Sequence, residues 1–410
     1  MRTPVVVIGA GQAGLAMSQN LANRSIDHVV LDRGDVAHSW RTERWESLRL
    51  LTPNWMTRLP GHRYDGPDPD GFMTKDEVIG LLESYARRID APIVAHVEVL
   101  SVRAMNPGFE VATDRGTWSC DAVVAATGAS SEPRLPPVAA VIPGRLQQLN
   151  ALQYRSPSQL ADGGVLVVGA SASGVQISDE LRRFGREVTV AVGDHVRVPR
   201  SYRGRDIHWW MDAIGQLDER YDEVEDIGRA RRLPSLQLIG GPSLRTLDLN
   251  TLADAGVRVV GKVMRVANGR AQCSGALANV LASADLKQDR LLERIDAFAH
   301  ERGLDAQLLE PSRPERTKVG VGELELDLSQ FASIVWATGY RPQYTWLDRA
   351  AFDHRGNITH DGGVCALDGL YLMGLPFMRR RKSSFIDGVA SDARDLAGHV
   401  HAHLDHLARV

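Results

Sequence analysis

The stretch Val5-Val6-Val7-Ile8-Gly9-Ala10-Gly11-Gln12-Ala13-Gly14 decides the fold. Its first four residues form a continuous β-branched run, the pattern of a parallel strand buried on both faces. Gly9-x-Gly11-x-x-Gly14 follows without a gap, residues 15–23 carry helical spacing, and a second strand over 28–31 ends at Asp32. Each part has a physical task. Gly9 permits the tight turn, Gly11 lets a pyrophosphate approach the backbone, and Gly14 lets helix and strand pack closely. Gln12 and Ala13 open the helix at the same turn, where free N–H groups and the helix dipole attract phosphate. Asp32 is placed to accept hydrogen bonds from a ribose hydroxyl, with Arg33 beside it. The stretch predicts a dinucleotide-binding βαβ unit.

A second copy lies in mid-chain. Val165–Val168 leads into Gly169-Ala170-Ser171-Ala172-Ser173-Gly174, a helix over 175–184 and a strand over 187–192. Ser171 replaces the middle glycine, and Ser173 stands inside the same turn. The counterpart of Asp32 is Val192, and Arg197, Arg200 and Arg203 follow. Loss of the acid and gain of arginines favours a 2′-phosphate, hence NADPH, with Arg197 and Arg200 as its anchors. Asp194 leaves NADH open, and a nucleotide fold without a ligand is the plain alternative. Two apolar strands, 121–128 and 333–340, share Ala-Thr-Gly, which marks Thr127, Gly128, Thr338 and Gly339 as nucleotide-side positions. A third strand end falls at Gly374, before an amphipathic helix over about 386–407.

The expected fold is α/β, with two Rossmann-like dinucleotide-binding domains. The first, over 1–155 and 326–410, would hold FAD. It is interrupted by an NADPH domain over 156–325, with a helical insertion over about 205–320. Within that insertion, Leu277, Leu281, Leu286, Leu291, Leu292 and Ile295 share a long-helix spacing. Arg203–Met211 is aromatic and would line a substrate pocket, fill a core or form a homodimer contact.

Composition narrows the function classes. The 410 residues suit two or three domains. With 48 basic and 51 acidic side chains the net charge is −3, so no global field recruits nucleic acid or an anionic membrane. No apolar run reaches the roughly 18 residues of a membrane span, and the start does not read as a signal peptide. A cytoplasmic protein is expected. Cys120, Cys273 and Cys365 are too widely spaced for a redox dithiol motif or a zinc ribbon. His399, His401, His403 and His406 read as a polar helix face, so no metal site is expected.

Both glycine motifs, Asp32, the Ala-Thr-Gly strands, Trp40-Arg41-x-x-Arg44-Trp45-x-x-Leu48-Arg49-Leu50-Leu51-Thr52-Pro53 and Gly374-Leu375-Pro376-Phe377 carry a resemblance. Together they resemble the flavin-containing monooxygenase superfamily, in its bacterial monooxygenase-like branch. The resemblance implies bound FAD and NADPH, and dioxygen held as a peroxyflavin for attack on a small organic substrate at nitrogen or sulfur. It places Trp40 and Trp45 against the flavin, or else in a core. Arg41 and Arg44 would lie near the FAD pyrophosphate, or else on a solvated face. It also implies that Ser384 and Phe385 open the last helix toward the flavin, with a serine as its N-cap. The run Arg379–Lys382 would be a solvated loop or an FAD-side contact.

Three departures from that family are visible. Its identifying stretch between the glycine motifs is here 142–155, with Asn150 where a histidine is sought; Asn150 is the candidate at the nicotinamide–flavin junction. An asparagine expected near the reactive flavin is replaced by Leu51, with Asn54 shifted. The Baeyer–Villiger fingerprint is missing. A reductase that inserts no oxygen, or a non-catalytic redox sensor, therefore stands as an alternative.

Overall fold

The computed structural model describes residues 1–318, 320 and 322–409. The strand Val5–Ile8 is fully buried and is flanked in parallel by His28–Leu31 and Ala122–Ala125. Ile93–Val94 and Leu370–Leu372 extend that sheet, and two short antiparallel strands, Val364–Cys365 and His360–Asp361, complete seven. Val, Ile and Ala dominate its centre because both faces are covered. Helices Gln12–Ala22 and Val389–Leu407 pack against each other over the same core.

The second sheet is wholly parallel, in the order Gln147–Asn150, Phe331–Trp336, Gly164–Val168, Val188–Val192, Arg258–Gly261. Each sheet has a three-stranded antiparallel meander beside it in sequence. One runs over 99–120, and the other joins Val263–Ala267, Arg270–Cys273 and Glu325–Asp327. The chain crosses between lobes on a two-stranded ribbon, Glu132–Pro133 against Tyr340–Arg341. An ion pair from Arg341 to Glu132 at 2.8 Å closes it.

This topology moves the expected boundaries. Residues 147–150 and 331–336 belong to the second sheet, because the Ala-Thr-Gly strand of each lobe pairs beside that lobe's own glycine-turn strand. The insertion is helical only in part. Leu277–Glu301 is one helix, with Leu277, Leu281, Leu292 and Ile295 buried as the spacing requires, but Leu286 is exposed. Strands occupy 258–273. The last helix starts at Val389, not 386, since Lys382–Gly388 is a compact turn in which a Cβ on Gly388 would lie 1.8 Å from the Lys382 carbonyl. Among the described residues, no helix is long and apolar enough to cross a membrane.

Candidate functional site

The two glycine turns are built alike, at the carboxyl ends of their strands. Gly9 has φ +109°, and a Cβ there would meet the Ala126 carbonyl at 2.7 Å; Gly169 has φ +111° and would meet Ala337 at 2.3 Å. A Cβ on Gly14 would lie 1.8 Å from the Gly9 carbonyl, and one on Gly174 1.9 Å from Gly169. These four positions exclude any side chain for reasons internal to the fold. The middle position differs. Gly11 is the N-cap of its helix at φ −85°, and nothing lies within 4 Å of its absent Cβ. Ser171 has nearly the same backbone, φ −83°, so the fold accepts a side chain there. Neither helix is capped by a side chain, leaving first-turn N–H donors for an anion.

Asp32 is fixed at the rim of the first turn. Its carboxylate accepts from Ala10 N–H at 2.6 Å and Gly34 N–H at 3.0 Å. Gln237, fully buried, braces the second turn by donating from Nε2 to the Ala170 carbonyl at 2.6 Å. Thr338 donates to the Arg134 carbonyl at 2.6 Å, whereas Thr127 Oγ1 is buried without a partner among the described residues. Gly128 and Gly339 have φ +76° and +87° in open space, so backbone conformation calls for glycine there. Gly374, at φ +79°, brings its strand end against Ala13, with 3.0 Å between the two Cβ positions. Gln12, Ala13, Gly128 and Gly374 thus share the first turn's neighbourhood. Ser173 lies in the first turn of the second helix.

The segment from Trp40 to Leu51 connects the lobes. Trp40 is half-buried and touches both cores, and Trp45 is part of the second lobe's core. Trp45 is therefore packing. The Arg44 guanidinium stacks over Trp40 at 5.7 Å and donates to the Glu43 carbonyl at 3.1 Å. It forms no ion pair among the described residues, and burial pushes its pKa below the ordinary arginine value. Arg41 and Arg33 are instead paired with Glu83 and Glu43.

Several expected roles are corrected. Arg197 is 3% exposed and ion-paired to Asp248 and Asp285, each at 2.7 Å. Arg200 is 1% exposed, pairs with Asp206 at 2.6 Å, donates to the Leu51 carbonyl and stacks on Phe72 at 4.8 Å. Both charges are neutralised inside the protein, so neither is free for a 2′-phosphate. Gly193 follows the Val188–Val192 strand at that place, and a Cβ on it would lie 3.8 Å from the Lys262 side chain. Lys262 is exposed and without an ion pair among the described residues. Sequence reasoning missed it because it follows a different strand, Arg258–Gly261.

Asn150 closes a local turn. Its Oδ1 accepts from Leu152 N–H at 2.9 Å, and its Nδ2 donates to Gln153 at 2.7 Å. Its amide is therefore occupied, and the junction role is not carried further. The last helix has Gly388, not a serine, as its N-cap. Ser383, the neighbour of Ser384, accepts from the N–H groups of Arg379 and Arg380. The basic run is not solvated. Arg380 pairs with Asp392, Arg381 with Glu219, and Lys382 with Asp218 and Asp387. The pairs to Asp218 and Glu219 hold the 217–221 segment against the C-terminal part of the first lobe.

Fold and turns define an oxidoreductase with two dinucleotide-binding lobes. Residues 6–211 match the family model described as pyridine nucleotide-disulphide oxidoreductase, and the chain belongs to that family. A CzcO-like oxidoreductase of Geobacillus kaustophilus is 32% identical over 97% of this chain and 98% of its own. A probable indole-3-pyruvate monooxygenase of Arabidopsis thaliana is 28% identical over 96% of this chain and 89% of its own. A flavin-containing monooxygenase from Stenotrophomonas maltophilia shares the fold, with TM-score 0.68, 19% identity, and coverage of 98% of this chain and 99% of that one.

Proposed function

We propose that the protein is a monooxygenase that binds FAD at the first glycine turn and NADPH at the second. It transfers one oxygen atom of dioxygen to nitrogen or sulfur of a small organic substrate. The observation that carries this reading is the repetition of one cradle. Two turns in one chain exclude a Cβ at the first and third glycines; the first leaves Gly11 open to an approaching pyrophosphate, and the second places the Ser171 hydroxyl at the same position. Bound FAD would supply the electron transfer and the activation of oxygen. The chain's part is to bind, orient and exclude water.

Gly11, Gln12 and Ala13 would hold the FAD pyrophosphate on free N–H groups, and Asp32 the ribose hydroxyls. Ser171 and Ser173 would add hydroxyl donors at the second pyrophosphate, and Lys262 would meet the 2′-phosphate beside Gly193. Trp40 and Arg44 stand at the join between the lobes, where a hydride donor and acceptor would meet.

The cysteines support flavin chemistry without a chain dithiol. All three are free and buried. Burial raises Cys120 and Cys365 to about 12 and Cys273 to about 11, so none is a thiolate at neutral pH.

Leu51 and the occupied Asn150 amide favour a second reading, an NAD(P)H reductase that inserts no oxygen. Rapid mixing separates the two. NADPH-reduced protein given dioxygen and a sulfide should form the sulfoxide in step with NADPH use. Full NADPH consumption with hydrogen peroxide as the sole oxygen product supports the reductase.

A further inference from the structure

Residues 237–240 run from the second glycine turn to the first lobe, and both ends are tied. Gln237 is fully buried and donates from Nε2 to the Ala170 carbonyl of that turn at 2.6 Å. Gln176, on the helix Ala172–Arg183 that opens at the same turn, donates to the Leu238 carbonyl at 2.9 Å. Two residues further on, a Cβ on Gly240 would lie 2.0 Å from the Leu50 carbonyl oxygen and 3.1 Å from the Phe72 Cβ. Gly240 is not among the glycines with positive φ. Glycine is therefore required here because the backbones of the two lobes touch, not because of its torsions. The next residue makes the contrast: Gly241 has nothing within 4 Å of its absent Cβ.

The first-lobe side of this contact is fixed as well. Leu50 N–H donates to the Met73 carbonyl at 2.8 Å, and Arg49 donates to the Phe72 carbonyl at 2.8 Å. Arg200, buried in the second lobe, donates to the Leu51 carbonyl at 2.9 Å and lies over the Phe72 ring at 4.8 Å. Met56 of the first lobe shares one buried core with Ile207 and Trp210 of the second. Domains in one chain move relative to each other by default, and a large apolar interface removes that freedom.

We propose that residues 237–240 are a spacer that sets the distance between the two nucleotide turns, with Gly240 as a positioning residue for hydride transfer, and that the transfer takes place without rotation of the lobes. In that step NADPH becomes NADP⁺, and the hydride carries its two electrons to FAD. Gly240 belongs to neither glycine turn, so widening the contact changes the spacing and leaves both cradles as they are. This assignment rests on the reading that FAD and NADPH occupy the two turns, and it applies to a monooxygenase and a reductase alike.

The test uses FAD-loaded protein. Flavin content and flavin reduction by NADPH without oxygen are measured first in wild type; failure there overturns the nucleotide reading, and this assignment with it. The methyl of Gly240→Ala must part the lobes by more than about 1 Å to reach an ordinary contact of about 3.5 Å. A shift of about 1 Å at a positioned site costs about 100-fold in rate. Stopped-flow reduction at saturating NADPH should therefore slow about 100-fold in Gly240→Ala, with flavin content and half-saturating NADPH at their wild-type values. Gly241→Ala should match wild type throughout. An unchanged rate in Gly240→Ala overturns the proposal, as does a loss confined to NADPH affinity or an equal loss in Gly241→Ala. A second measurement decides the matter even if Gly240→Ala does not fold. Leu100→Cys and Met264→Cys place spin labels at exposed positions on the two antiparallel meanders, while the three native cysteines are buried. Pulsed EPR should give one distance, the same with and without NADP⁺; two distances, or a change of more than about 2 Å, overturn the fixed spacing.

Discussion

Gly11→Ala separates ligand recognition from folding, because the third and middle glycines of the turn are demanded by different things. A methyl at Gly14 would lie 1.8 Å from the Gly9 carbonyl, so helix and strand must part by about 1 Å before it fits. That costs about 1–3 kcal/mol in a packed core, and a shift of about 1 Å at a positioned site costs about 100-fold in function. A methyl at Gly11 meets nothing within 4 Å, and its φ of −85° suits any residue. The apoprotein should lose only the difference between glycine and alanine as an N-cap, about 0.5 kcal/mol. The same methyl occupies the space a pyrophosphate would take, so FAD affinity should fall at least about tenfold, or about 1.4 kcal/mol. Thermal unfolding of the apoproteins and FAD titration by fluorescence quenching give both numbers. Gly14→Ala should fail in both assays and Gly11→Ala only in the second. Wild-type FAD affinity in Gly11→Ala would refute the reasoning.

Three further perturbations probe other parts of the account. Arg197→Met should destabilise the second lobe by about 3–5 kcal/mol, since it strands Asp248 and Asp285 as buried, unpaired carboxylates. In whatever fraction folds, the KM for NADPH should stay near wild type; a selective rise would return Arg197 to the phosphate site. Lys262→Ala should raise the KM for NADPH about tenfold and leave that for NADH unchanged, and equal effects on both would remove Lys262 from the 2′-phosphate. Burial, with the Arg231 charge adding to it and Asp361 opposing, lowers His360 from 6.5 to about 4. A depressed histidine contributes stability that is complete above 6.5 and is lost as pH falls toward 4. His360→Gln should flatten the decline in unfolding midpoint over that window, and an unchanged slope would show that other groups set it.

The glycine turns were legible in the sequence because they answer to local sterics. Gly9, Gly14, Gly169 and Gly174 each meet a carbonyl that a fixed turn geometry places there. The helix over 277–301 was legible for a similar reason, since its buried face repeats at helical spacing. Ion pairing was not legible. Arg197 looked like a phosphate anchor because it follows the second βαβ unit, but its partners Asp248 and Asp285 lie 51 and 88 residues away. Nothing short-range announces such pairs. Sheet membership failed differently, because Ala-Thr-Gly marks a strand end without saying which sheet the strand joins. Residues 331–336 therefore read as part of the first lobe, whereas parallel pairing to Gly164–Val168 puts them in the second.

Mass spectrometry of product formed under isotopically labelled dioxygen tests the central claim most directly. The FAD-loaded protein is given NADPH, a panel of small sulfides and amines, and the labelled gas. The account predicts a product carrying one labelled oxygen atom, formed in proportion to NADPH oxidised. Complete NADPH oxidation across the panel with the label found only in hydrogen peroxide would contradict it.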